Sequence, residues 1–580
     1  MNKPSVVLVA AFAALLVCIT EFVIAADSGE NNSGVLACQL QSNSTKASDK
    51  NGNGVYKWWR GERARRQAEI DQYLADYQLE FDSFRTAPLA IRQDPLNFVG
   101  IQMIIFRLLT ELFPDIWGPA GDKMAIVGYG PDPWDPETVM PLGTGYILSE
   151  GFTPPFGDTG SIQVNYATFT CMGCHSGSVT LEDGTLHRMV GGSNPTENYF
   201  DLINRTVTDP RYTPENFKAA LNSKPLGFVY ENPALLPQEI FERELFNAPG
   251  GAEFFLGELE LVSKESVKLL TDTLFDITYD GGINSPALSI IGMLDAFGAN
   301  AASFTDPNSP VSQLEEELPP LPAPTDFPAA WQLQDRPRFE WGNEVGTVIY
   351  RSVAAALSLT AGDPPAVNEQ NVLEASDFAE FLPSAPYPFD VNRPMAARGS
   401  QIYRQACAGC HEAGNTIIQS PAETGTDPGR AMVFTEFSTE MVRKALREGC
   451  TELPQCFQPD GTPYTDSEIL EPTLGYTPLP LHGIWQTAPY LHNGSVPTLY
   501  HLLTGERPAM FYRGNTTYDQ ELVGYTWVSD TTSNGRAYYY DTSLKGFSNA
   551  GHSGPEFNGG IDWDDDPQML WDLLEYLKTL

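Results

Sequence analysis

Apolar positions along this chain fall into a few runs, each pointing to a different element. Val6 to Ile19 is apolar, preceded by Lys3 and followed by small residues at Ala25 and Ala26. A basic start, an apolar centre and a small-residue end read as a secretory signal over 1–26, cleaved near Ala25 or Ala26. The alternative is an uncleaved anchor, against which stand Glu21 and the shortness of the run. Residues 27–85 read as an N-terminal extension: a Ser-, Asn- and Gly-rich flexible lead to about residue 54, then a helical pattern of mixed charge. Ile101 to Phe113 is apolar but interrupted by Gln102, Arg107, Thr110 and Glu111, which suits a core helix and not a membrane span. No second long apolar segment follows, so no span is expected after signal cleavage. Gly157 to Phe169 is Gly-rich and β-branched and predicts no helix. Asp306 to Pro328 holds seven prolines and Glu315 to Glu317, the mark of a linker or long surface loop. After a second break at Pro383 to Pro394, Ala396 to Ala406 predicts a short helix. Pro567 to Leu580 predicts an amphipathic one, with Leu570, Trp571, Leu574 and Leu577 on one face. Gly399 and Tyr403 on the first are expected to meet Leu574 and Leu577 on the last.

Composition narrows the classes. The 580 residues leave room for two or three domains, and 42% hydrophobic with 19% charged residues is a globular balance. Lys and Arg total 35 against 74 Asp and Glu, a net charge of -39. That excludes nucleic acid as a partner and disfavours anionic lipid surfaces. With 46 Pro and 50 Gly, long stretches must be loop.

The cysteines carry the chemistry. Of eight, four form two copies of one pattern, Cys171-Met172-Gly173-Cys174-His175 and Cys407-Ala408-Gly409-Cys410-His411. This is the c-type haem attachment signature. Two thiols add across the haem vinyl groups, and the next residue sets an imidazole beneath the iron. A zinc site or redox dithiol is the alternative for a bare CxxC, and the paired histidines with an export signal weaken it. Two covalent haems are therefore expected, on Cys171 and Cys174 with His175, and on Cys407 and Cys410 with His411. The fold class expected is mainly α: two cytochrome c-like haem domains, 86–393 and 394–580, with long loops and few short β-strands. The helix pair at 394–580 matches the way a cytochrome c fold crosses its terminal helices. Cys18 leaves with the signal and Cys38 has no evident partner. Cys450 and Cys456 suit a disulfide in an exported protein, left open by spacing alone. His187, His482, His492, His501 and His552 remain, enough to close one or both irons without showing which.

Several segments carry a family resemblance. Leu481 to Leu503 (LHGIWQTAPYLHNGSVPTLYHLL) resembles the C-terminal haem domain of the di-haem cytochrome c peroxidase superfamily. Phe327 to Gly342 (FPAAWQLQDRPRFEWG) resembles the Trp-containing segment ahead of its second haem. Arg507 to Gly524, Leu544 to Gly554 and, more loosely, Met140 to Tyr146 (MPLGTGY) are similar to the rubber oxygenase A and periplasmic di-haem fatty-acid dioxygenase branch. The resemblance covers most of Pro141 to Leu580. It implies His175 and His411 as proximal ligands, His552 as distal ligand of the second haem, and a first haem with an open face for O2. Where the peroxidases place a ligating Met this chain has Glu506, and the nearest later Met is Met510, which argues against an ordinary peroxidase.

The remaining candidates each carry two readings. His492 contacts a haem edge or propionate, or caps a turn. His187 reaches the first haem or belongs to a hairpin, and His501 is structural. Trp331 and Trp341 are candidates for a path between haems, against simple packing. Phe297 and Phe304 are candidates to line an apolar pocket over the open haem. Asp562-Trp563-Asp564 is a candidate for calcium without a recognisable calcium loop. Three functions follow. One is a periplasmic or secreted oxygenase adding O2 at or beside C=C bonds of an apolar unsaturated lipid, a fatty acid such as oleate or polyisoprene. The second is a peroxidase reducing hydrogen peroxide with electrons from a small basic donor protein, and the third a plain electron carrier. The oxygenase is favoured.

Overall fold

The computed structural model describes residues 100–268 and 324–580, apart from breaks at 126–127, 133–137, 150, 157–159, 197–198, 360–366, 435 and 529–537. The signal, the N-terminal extension, Cys38, Phe297, Phe304 and most of the Pro-rich segment lie outside these residues.

Ile101–Gln102 (β1) leads into Met103–Leu112 (α1), six of whose ten residues are buried. The polar residues that interrupt its sequence have work at its edges. Gln102 Oε1 accepts from the N–H of Ile104 and Ile105 at 2.9 and 3.3 Å, satisfying donors that a helix start leaves open. Arg107 reaches Phe228 O at 3.0 Å and Glu231 at 3.1 Å. Thr144–Leu148 (β2) and Asn165–Phe169 (β3) complete an antiparallel sheet in the order β1-β3-β2, with Thr144 opposite Phe169. The end of the Gly-rich stretch with no helical pattern, Asn165–Phe169, is thus a strand. After Cys171–Cys174 (α2), Ser176–Thr180 (β4) and Leu186–Val190 (β5) form a hairpin, as the second reading of His187 has it. Tyr199–Val207 (α3), Pro214–Ser223 (α4), Leu236–Asn247 (α5) and Gly251–Lys268 (α6) share one core with α1 and the sheet, around Phe113, Trp117, Phe217, Phe246 and Phe255.

A second core joins Val348–Leu359 (α7), Glu369–Phe381 (α8) and Glu436–Glu448 (α11) to Trp331 and to Met172 of the first motif. Cys450 and Cys456 form a disulfide there, Cα to Cα 5.5 Å. The Glu369 carboxylate accepts from the N–H groups of Thr451, Glu452 and Leu453 beside it.

Arg393–Ala406 (α9) runs straight into the second motif, whose turn is Ala408–His411 (α10). It crosses Pro567–Leu577, the terminal helix (α13), whose N-cap, Asp566, lies 155 positions beyond His411 (566 − 411). Within that insertion lies Leu499–Thr504 (α12). A methyl group on Gly399 would overlap the Asp572 carbonyl oxygen, so only glycine permits this approach. Tyr403 packs on Tyr576, ring centroids 5.3 Å apart, and Arg398 pairs with Asp572 through two contacts of 2.5 and 2.6 Å. Gly399 meets Asp572 and Tyr576, while Tyr403 packs against the core that holds the expected Leu574 and Leu577. Those two turn into the third core beside Ile402 and Trp485, because the apolar face meets the core and not the partner backbone. The chain is mainly helical with few short strands, and no helix among the described residues is long and apolar enough to cross a membrane. Gly399→Ala is expected to cost about 1–3 kcal/mol in urea unfolding, because the crossing must open to admit the methyl group.

Candidate haem-binding sites

In the second motif α9 ends in one tight turn. Cys407 N–H bonds Tyr403 O at 2.8 Å, and His411 N–H bonds Cys407 O at 3.0 Å. Helical spacing puts Cys407 and Cys410 on the same face, with His411 next along. His411 Nδ1 lies 2.7 Å from the carbonyl oxygen of Leu479, in the run Pro478-Leu479-Pro480. An imidazole that donates Nδ1–H to a carbonyl keeps its Nε2 lone pair for a metal. Burial lowers the pKa of His411, opposed by that bond, which favours the neutral ring.

His552 faces it. The two ring centroids are 6.1 Å apart at 59°. Imidazoles trans to one metal, each bound at about 2.0 Å, hold their centroids about 6 Å apart. The loop is built for this placement. Gly551, at φ +90°, sits so close to the Thr426 backbone that a side chain has no room. Arg507 donates to the carbonyls of Asn549 and His552, and His552 N–H bonds Thr424 O at 3.2 Å. Phe557 stacks on the His552 ring at 5.3 Å. His552 Nδ1 is buried with no hydrogen-bond partner, and burial, reinforced by His411, lowers its pKa to about 4. A cavity of about 460 Å3 is lined by Cys407, Cys410, His411, Leu481, His552 and Phe557 among others. These residues fit a haem. Burial pushes the Cys407 thiol up to about 12.

The first motif is seated differently. β3 delivers Cys171 and β4 leaves directly after His175, so the turn sits between strands and not at a helix end. The segment from Met140 to Tyr146 packs on it: Thr170 N–H bonds Gly143 O at 3.0 Å. Residues 191–194 strap it from the other side, Gly191 N–H to His175 O and Asn194 N–H to Cys174 O, both 2.9 Å. His175 Nδ1 is buried without a partner, and burial with the nearby Arg351 charge lowers its pKa to about 3. Its ring contact is Phe327, at 6.2 Å, and among the described residues no second imidazole packs on it. Burial raises the Cys171 thiol to about 11.

Between the motifs lie the aromatics. Trp331 is buried against Gly192 and Gly483 and donates to His482 O at 2.9 Å, so it joins the strap behind His175 to the segment beside His411. Trp341 lines the His411 cavity and donates to Asp326 O at 2.9 Å. Phe327 touches the His175 ring and also lines that cavity. His492 lines it too, with Nε2 3.1 Å from the Tyr476 hydroxyl and its ring stacked on Tyr476 at 4.3 Å. Thr498 caps the helix that carries His501 and also meets its ring, Oγ1 to Nδ1 2.7 Å, as beside a structural histidine. Met510 is exposed and takes the Tyr539 hydroxyl, and Glu506 is exposed near Tyr500. Asp562 and Asp564 sit in an exposed turn, and among the described residues no third ligand joins them. The sequence reading does not single out Leu479, Phe327 or Tyr476. The signal for Leu479 is the pair of flanking prolines, and for Phe327 its place four residues before Trp331.

Burial lowers the pKa of His492 from 6.5 to about 3. Below pH 6.5 the unfolded chain therefore binds a proton that the folded chain refuses, and stability falls as pH drops towards 3. Replacing His492 by Gln is expected to flatten the dependence of the urea midpoint on pH between about 6 and 4, by up to ~1.4 kcal/mol per pH unit.

Comparison with known proteins finds two families that match parts of the chain. A RoxA-like, cytochrome c-like family matches residues 475–513, the segment that holds Leu479 and His492. A Y4iN-like domain matches residues 90–175, ending on the first motif histidine. The protein y4iM of Sinorhizobium fredii (strain NBRC 101917 / NGR234) is 33% identical over 289 residues, 45% of this chain and 66% of that protein, just under two thirds of its length. The protein y4iJ of the same strain is 25% identical over 494 residues, 71% of this chain and 76% of that protein. Both carry the description uncharacterized. Residues 475–513 are thus RoxA-like and cytochrome c-like, and they carry the carbonyl that holds His411.

Proposed function

We propose that this chain is an exported di-haem c-type oxygenase that adds O2 at or beside C=C bonds of an apolar unsaturated substrate. The observation that carries the reading is the pair of half-buried imidazoles, His411 and His552, facing one another across the cavity beside Cys407 and Cys410. Two strong protein ligands make an electron-transfer centre, and one ligand leaves a face for a small molecule. His175, with a single imidazole among the described residues, is the candidate for the second kind. When bound, haem supplies O2 activation and electron storage; the chain supplies the rest. His175 and His411 hold the metals as neutral donors. Trp331, Trp341 and Phe327 fill the space between them with apolar aromatic surface that excludes water. Phe297 and Phe304 are proposed pocket residues, and domain limits at 86–393 and 394–580 belong to the same proposal.

The reaction needs no outside reductant. An alkene and O2 give two carbonyl products, or an allylic C–H and O2 give a hydroperoxide, with all atoms accounted for. The net charge of -39 suits a basic donor protein that sets the resting redox state. Export rests on residues 1–26, and a periplasmic or secreted location follows from it.

Purified holoprotein is expected to consume O2 without added peroxide when given oleate or dispersed polyisoprene, and to form a hydroperoxide or carbonyl product. Peroxide turnover with no O2 uptake would instead assign it to the peroxidases. The pyridine haemochrome assay should give two haems per chain, falling to one in a Cys171→Ala, Cys174→Ala variant. His552→Ala should convert one haem from a six-coordinate to a five-coordinate spectrum; an unchanged spectrum removes His552 from the site.

A further inference from the structure

Arg336 stands half-buried in the wall of the His411 cavity, and its Nη1 is buried with no hydrogen-bond partner. An unsatisfied buried polar atom is costly, and more so on a charged group, so a native structure that keeps one calls for a partner. The charges acting on Arg336 are those of Arg351 and Glu340. Arg351 Nε lies 2.8 Å from Glu340 Oε1, close in distance yet not aligned as a hydrogen bond, and both side chains are nearly inaccessible. Glu340 sits at φ 71°, a conformation uncommon for a residue with a side chain, which fixes its carboxylate beside Arg351. Burial and the Arg351 charge together lower the Arg336 pKa to about 10. Arg351 acts in turn on His175 and Cys171 of the first motif. Two guanidinium groups thus stand with Glu340 between the motifs, and the one facing the cavity has a donor to spare.

We infer that Arg336 is a carboxylate anchor in the wall of the His411 cavity, held in position by the Arg351–Glu340 pair. The planar fork of an arginine matches a carboxylate better than any other anion of its size. Two carboxylates have reason to enter this cavity: a propionate of the haem attached at Cys407 and Cys410, and the head group of a fatty-acid substrate. The enclosure of Arg336 with His411 and the motif cysteines favours the propionate. The inference rests on the reading of Cys407 to His411 as a haem site. That reading fails if purified protein carries no covalent haem, whereas the anchor is tested only in protein that does.

The test compares wild type, Arg336→Gln and Arg336→Lys as holoproteins. Spectroelectrochemical titration gives the midpoint potential of each haem, and optical titration gives the affinity for oleate and for methyl oleate. For a propionate anchor, Arg336→Gln lowers the midpoint potential of the six-coordinate haem, because a positive charge beside the propionate is lost, and Arg336→Lys restores most of it. For a substrate anchor, the potentials hold while oleate affinity falls roughly 10-fold or more and methyl oleate affinity does not. Unchanged potentials with unchanged oleate affinity overturn the proposal. If Arg336→Gln yields no holoprotein, the wild type decides. A shift of the propionate bending modes in resonance Raman spectra on exchange into D2O, or a preference for oleate over methyl oleate, supports the anchor; absence of both overturns it.

Discussion

The hydrogen bond from His411 to the Leu479 carbonyl is the contact on which the second half of the chain depends. It fixes which nitrogen of the imidazole is free and where it points. Everything around it serves to bring a carbonyl and a histidine from distant sequence to one turn. The crossing of α9 and α13 closes over Gly399 and sets the direction in which α9 delivers its cysteines. The insertion between those helices then contributes from both sides of the cavity, Leu479 beneath His411 and His552 opposite it. Arg507, on the same insertion, ties the His552 loop down by two carbonyls. A long insertion costs little in loop entropy, since that cost grows only with the logarithm of length.

A chain of net charge -39 also keeps charges of both signs buried inside it. Arg351, Arg430 and Arg513 are buried, and Arg430 pairs with Glu344 at 2.7 Å. Arg513 stands 3.8 Å from Asp326, too far to offset what burial costs the carboxylate, and Asp326 is pushed up to about 7. Buried ion pairs of this kind add little stability over apolar packing, so their presence points to chemistry and not to fold strength.

The legible parts of the sequence were those where one local rule decides. The motifs, the α9 helix ahead of Cys407, the terminal helix and the core helix at Met103–Leu112 follow from spacing and periodicity alone. Gly551 and His552 both stand at positive φ, as the Gly- and Asn-rich stretch around them suggests. What remained hidden needs two distant segments at once. Leu479 contributes a backbone atom, which no residue type announces. The partners of Gly399 were misplaced because helical spacing tells which face is apolar, not which backbone it meets. His492 carried two readings, and Tyr476 settles its surroundings from a position that no motif flags. The first motif was expected in a cytochrome c-like setting, and its seat between β3 and β4 follows from pairing of segments more than 20 residues apart (167 against 146, and against 101).

The two motif histidines sit in contrasting electrostatic surroundings, and the contrast follows from the seats just described. A helix end leaves His411 pointing at a loop carbonyl, which accepts its proton and makes the ring a more basic donor. A strand-flanked turn leaves His175 against Phe327 and in the field of Arg351, with no acceptor for Nδ1, which makes that ring a poorer base. On the proposed reading the more basic donor favours the oxidised state of its metal, and the nearby cation favours the reduced state of the other. The contrast between the two rings arises from one carbonyl and one guanidinium.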